Sequence, residues 1–125
     1  MDWTRRNFLV LAVFAPLLIL TGIGGLTLPA SASPMSNAVP YDVFHICFGA
    51  LGLVLVLTKQ PRPIAGFNLG FGLIDLWQAI AGVADLPPNQ QFALRPADHV
   101  AHLAIGALLV AVGWFGLKAL RARES

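Results

Sequence analysis

The sequence predicts an all-α fold, an integral membrane four-helix bundle with both termini cytoplasmic, and three observations predict it. Four apolar runs, at about residues 8–28, 41–58, 64–84 and 97–117, come close to or exceed the roughly 20 residues a helix needs to cross a bilayer. Composition agrees, since 57% hydrophobic and 11% charged residues with a mean hydropathy of +0.73 lie outside the range of a soluble globule of 125 residues. The third observation is charge placement. With the amino terminus inside, Arg5, Arg6, Lys59, Arg62, Lys118, Arg121 and Arg123 all fall on the cytoplasmic side and only Arg95 lies outside. No span alternates with a period of two, which excludes a β-barrel. Four crossings use about 80 residues and leave only short connections, so residues 1–125 form a single transmembrane domain.

Taken in order, the first span follows Arg5 and Arg6 and is interrupted only by Pro16, Thr21 and glycines. Thr4-Arg5-Arg6-Asn7-Phe8-Leu9 resembles a twin-arginine export motif, and Ala30-Ser31-Ala32 fits a small-residue cleavage site. An apolar run reaching from 8 to 28 exceeds the ~7–15 residues of a signal core, so the span is read as a retained helix. A charge-free loop, 31–40, leads into the second span. Lys59-Gln60-Pro61-Arg62-Pro63 makes a tight basic turn, with proline where a following helix can start. The third span runs to Ala84, residues 85–95 form a loop broken by Pro87 and Pro88, and Pro96 opens the fourth span. The formal charge of +2 comes from residues at span ends, which topology explains without any nucleic-acid partner. Cys47 stands alone within an apolar span, where it reads as a small packing residue.

Ionisable groups inside apolar spans need an explanation, and four positions stand out: Asp75, Gln78, His45 and His102. In the fourth span Asp98, His102, Gly106 and Gly113 share a helix face, and in the second His45, Gly49 and Gly52 do the same. Glycines on such faces admit a neighbouring helix closely, and Gly66 with Gly70 offers a further close contact in the third span. That span also carries a polar stripe through Asn68, Gly72, Asp75, Gln78, Gly82 and Asp85. A carboxylate near mid-bilayer faces the bundle, is paired or is protonated, because facing lipid costs several kcal/mol. The stripe, His45 and His102 converge on the outer half of the bundle.

Two helix starts share a signature, His45-Ile-Cys-Phe-Gly49 and Asp98-His-Val-Ala-His102-Leu-Ala-Ile-Gly106. In these motifs the chain resembles a family of four-helix bacterial membrane proteins catalogued as a domain of unknown function, number 4383. The resemblance implies the same fold and a multi-pass protein of the bacterial inner (plasma) membrane, and it implies no activity. Tyr41 stands where that family often has a further histidine. The repeated signature also predicts a duplicated helix pair, parallel and not inverted.

For His45 and His102 the plain expectation is an interhelical contact that fixes the bundle. The alternatives are a transition-metal site using His45, His99, His102 and Asp98, haem b held by His45 and His102, or proton and ion movement through Asp75. No nucleophile triad, phosphate loop or catalytic carboxylate pair is present, so no enzyme is predicted. The first expectation for function is an accessory or structural subunit of a membrane complex, without cofactor, whose partners are the lipid bilayer and other membrane subunits or its own copy. The alternatives are a metal- or haem-binding electron-transfer or sensing module and a small transporter centred on Asp75. The retained first helix predicts an intact mass near 13.3 kDa for protein purified from membranes; a product shortened by about the first 32 residues contradicts it.

Overall fold

The computed structural model describes all residues, 1–125, and they form an all-helical chain without strands. Helix α1 (Trp3–Thr27) begins at Asp2, whose carboxylate accepts the Arg5 N–H at 3.0 Å and so caps the first turn. Thr21 and Thr27 donate their hydroxyls to the carbonyls of Leu17 and Ile23 four residues back, which satisfies them within the helix. A single 3-10 turn, Ala30–Ala32, follows. Helix α2 (Val39–Thr58) ends at Lys59, which adopts the left-handed conformation (φ 57°), and Pro61 opens α3 (Pro61–Ala84) directly. After Asp85, also left-handed, come the one-turn helix α4 (Asn89–Phe92) and the long α5 (Pro96–Glu124).

Four of these helices are long and apolar enough to cross a membrane. Two boundaries differ from the expectation by five residues or more. α1 starts five residues earlier than the apolar run and α5 runs on to Glu124, because Asp2 provides a cap and Lys, Arg, Ala and Leu after residue 117 are good helix formers whatever their polarity. Hydropathy marks the apolar span, whereas propensity and capping mark the helix.

The chain goes up through α1, back through α2, up through α3 and back through α5. Both termini and the α2–α3 turn therefore lie at one end, the terminal end, and the loops 28–38 and 85–95 lie at the other, the distal end. The helices pack as two antiparallel hairpins, α1 with α2 and α3 with α5. Each hairpin closes at a glycine. A Cβ on Gly49 would fall 2.9 Å from the Ala15 carbonyl oxygen, and one on Gly106 would fall 3.0 Å from that of Gly72, so neither position has room for a side chain. The two contacts correspond: Ala15 and Gly72, like Gly49 and Gly106, stand 57 positions apart. The same offset relates Gly25, packed on Asp42, to Gly82, packed on His99. The correspondence between the two helix starts therefore extends to the helices they pack on.

Between the hairpins lies an aromatic layer centred on Phe71, with Phe48, Phe14, Phe67 and Phe44 ring centroids 5.3 to 5.9 Å away. Leu18 and Leu109 complete this layer, and Leu11, Ala15, Val56 and Ile64 form a second apolar cluster. The expected contact at Gly66 and Gly70 does not occur. A Cβ at either would meet nothing within 4 Å, because the face of α3 that packs on α5 is the one bearing Gly72 and the Gly82 position, turned away from these two. Cys47 likewise is exposed on α2, where it packs in no core.

Replacing Gly49 or Gly106 with Leu forces a hairpin apart and should destabilise the protein by about 1–3 kcal/mol or more, whereas Gly66→Leu and Gly70→Leu should leave stability within about 0.5 kcal/mol. Thermal unfolding in detergent, followed by circular dichroism, reads the difference.

Candidate functional site

Most buried polar side chains gather at the distal half of the bundle. Asp98, fully buried in the first turn of α5, is the hub. Its Oδ2 accepts the N–H of Arg95 at 2.9 Å, which caps α5, and the N–H of Ser36 at 2.8 Å from the loop after α1. Its Oδ1 accepts the Tyr41 hydroxyl from α2 at 3.0 Å. The Ser36 hydroxyl in turn donates to the Phe92 carbonyl of α4. One carboxylate thus ties both distal loops to α2 and α5.

Tyr41 also lies 2.8 Å from His102 Nε2. A phenol has one proton, and the carboxylate beside it only accepts, so Tyr41 donates to Asp98 and receives the Nε2–H of His102. This assigns the neutral tautomer with a bare Nδ1, and that nitrogen is buried without a partner. The Tyr41 ring packs against His45 at 4.1 Å between centroids and edge-on to His102 at 5.8 Å. His45 Nδ1 is buried and unpartnered as well.

His45, His102 and Tyr41 share a cavity of about 210 Å³ with Asp75 of α3. Asp75 is 3% exposed and takes no hydrogen bond from any protein group. The other walls of the cavity are mainly apolar, with Phe14, Leu17, Leu18 and Thr21 from α1, Met35 from the loop that follows, and Ala101 and Ile105 from α5. Gln78, one turn above Asp75, is buried, and its Oε1 has no partner.

The structure divides what the sequence grouped. His45, His102 and Asp75 line one cavity in the distal half. Asn68, expected in the same polar stripe, belongs elsewhere: its amide donates to Asn7 Oδ1 at 2.9 Å, and Asn7 donates to the Val112 carbonyl at 2.8 Å, joining α1, α3 and α5 towards the terminal end. His99 packs onto Gly82 at the α3–α5 seam. The expected ligand set of His45, His99, His102 and Asp98 is therefore not assembled, and no three His, Cys, Asp or Glu side chains converge as metal ligands would. The Tyr41 ring contacts both imidazoles.

Sequence reasoning missed three residues of these networks, Tyr41, Ser36 and Asn7. A signal existed for Tyr41, which stands four residues before His45 as Asp98 stands before His102. No family model matches the chain, and no curated protein or solved structure matches it.

Tyr41→Phe keeps the ring and removes the hydroxyl, leaving the His102 Nε2–H without its acceptor and Asp98 with one donor fewer. The expected loss is about 1–3 kcal/mol of stability, measured by reversible unfolding in mixed micelles.

Proposed function

We propose that the chain is a four-span protein of the bacterial inner membrane, amino and carboxyl termini cytoplasmic, that serves as an accessory subunit of a membrane complex and catalyses no reaction. Its polarity supports the membrane assignment. Leu20, Leu57, Val83, Val100 and Leu103 are exposed, while Asn7, Asn68, Asp75, Gln78 and Asp98 are buried, the reverse of a water-soluble arrangement. Seven of the eight Lys and Arg residues lie at the terminal end, which the positive-inside rule favours on the cytoplasmic side. The helix-start motifs support kinship with the four-helix family of unknown function, number 4383.

One observation carries the accessory role. Gly66, Gly70, Leu73 and Trp77 run along one exposed face of α3 at steps of four, three and four residues, and the two glycines leave a notch that no part of this chain enters. Glycines elsewhere in α3 and α5 take a neighbouring helix, so this pair is suited to a helix from another subunit, whose backbone approaches closely without help from water. An enzyme reading finds no support, because the buried Asp98 is fully engaged in hydrogen bonds and no nucleophile and base are paired.

Affinity capture after gentle solubilisation tests the proposal. The wild type should retain a stoichiometric membrane partner, and the double variant Gly66→Leu/Gly70→Leu should fold but elute without it. A wild type that elutes alone as a monomer, or a double variant that keeps the same partner, refutes the accessory role.

A further inference from the structure

Asp75 is buried at 3% exposure yet belongs to neither hydrogen-bonded clamp, although Tyr41 and His102 beside it in the cavity do. Asp75 lies roughly 14 Å along α3 from the distal end of that helix, at 1.5 Å per residue, so it is remote from both ends of the bundle. An isolated carboxylate at that depth is unfavourable without a partner. His102, which lines the same cavity, also carries a ring nitrogen without a partner. The network through Tyr41 assigns His102 the Nε2–H tautomer, which makes its buried Nδ1 an acceptor, and no protein group donates to it. A carboxylate and a bare imidazole nitrogen together match a ligand that carries positive charge and several N–H donors.

The walls restrict that ligand further. Phe14, Leu17, Leu18 and Ile105 are apolar, and the oxygens are too few to replace the shell of an alkali or alkaline-earth ion, which takes about six or more oxygen ligands. At about 210 Å³ the cavity exceeds the ~150 Å³ that accommodates benzene, so it admits an ammonium head with several carbons. It also has a neighbour. Phe14, Leu17 and Ile105 line a second, wholly apolar groove of about 410 Å³ between α1 and α5, reaching Leu9 and Leu108. The two spaces adjoin at these three side chains, which places the groove next to the Asp75 cavity.

We propose that this site binds a lipophilic primary alkylammonium ion, with the ammonium on the Asp75 carboxylate, an N–H donated to His102 Nδ1 and the alkyl chain in the α1–α5 groove. The corresponding position in the first repeat, 57 residues earlier, is Leu18, so the duplication supplies one such carboxylate and the chain has one such site.

The probe is n-octylammonium, titrated against the full-length protein in lipid nanodiscs by calorimetry, with n-octanol as the neutral isostere. Octylammonium should bind saturably at a ratio of one per chain and at least about tenfold more tightly than octanol, the least expected when a buried charge loses its partner. Asp75→Asn, which disturbs no internal hydrogen bond, should reduce octylammonium affinity by about tenfold or more and leave octanol partitioning unchanged. Ala101→Leu, which fills the cavity without touching Asp75, should do the same, and it serves where Asp75→Asn does not fold. Equal binding of the amine and the alcohol, non-saturable uptake of both, or unchanged affinity in the folded variants overturns the proposal.

Discussion

An apolar exterior removes the force that usually holds helices together, and the arrangement of this protein follows from that constraint. In the membrane setting proposed above, exposed leucines and valines gain nothing by leaving lipid for a helix seam, so contact depends on close packing and on hydrogen bonds. Close packing operates within each hairpin, where Gly49 rests on the Ala15 carbonyl and Gly106 on that of Gly72. Hydrogen bonds operate between hairpins. Asp98 with Tyr41 and His102 joins α2 to α5 at the distal end, and Asn7 with Asn68 and the Val112 carbonyl joins α1 to α3 and α5 towards the other end. The aromatic layer around Phe71 fills the space between these two clamps.

The duplication clarifies why the polar groups are distributed unevenly. Equivalent positions 57 residues apart keep the packing residues, Gly49 with Gly106 and Phe14 with Phe71, and the histidines His45 and His102. They differ where the clamps form. Tyr41 answers to Asp98, so two equivalent positions have become donor and acceptor and bond to each other across the interface. Leu18 answers to Asp75, and the cavity is correspondingly one-sided. Identical halves would set like groups against like, whereas divergence at these positions turns the same geometry into complementary contacts.

The four long helices were legible because apolar length is a direct requirement of crossing a bilayer. Their ends were not, since Trp3 to Asn7 and the segment after Leu117 are polar yet capped or strongly helix-forming. α4 was hidden behind Pro87 and Pro88, and a single turn has no periodicity to read. Glycine spacing shows which residues share a face but not what that face meets, which is why Gly66 and Gly70 read as a close contact while Gly72 of α3 and Gly113 of α5 are the ones buried in the α3–α5 seam. His45, His102, Asp98 and Asp75 stood out as ionisable groups in apolar surroundings. Tyr41 did not, because an aromatic ring at a span end already has an interfacial explanation. Asn68 and Asp75 read as one stripe, yet seven residues separate them by about 10 Å along the helix, far enough that Asn68 joins a clamp and Asp75 lines a cavity instead.

The central claim is that two glycine-packed hairpins are joined by polar clamps near opposite ends. Spin-label distances in lipid nanodiscs test it most directly, with Cys47 replaced and labels at the exposed distal positions Val39, Val83 and Val100. In the variant Asn7→Leu/Tyr41→Phe the Val39–Val83 distribution, which spans the two hairpins, should broaden, while Val83–Val100, within one hairpin, should stay as narrow as in the parent. Broadening of both distances together, or of neither, would contradict the account.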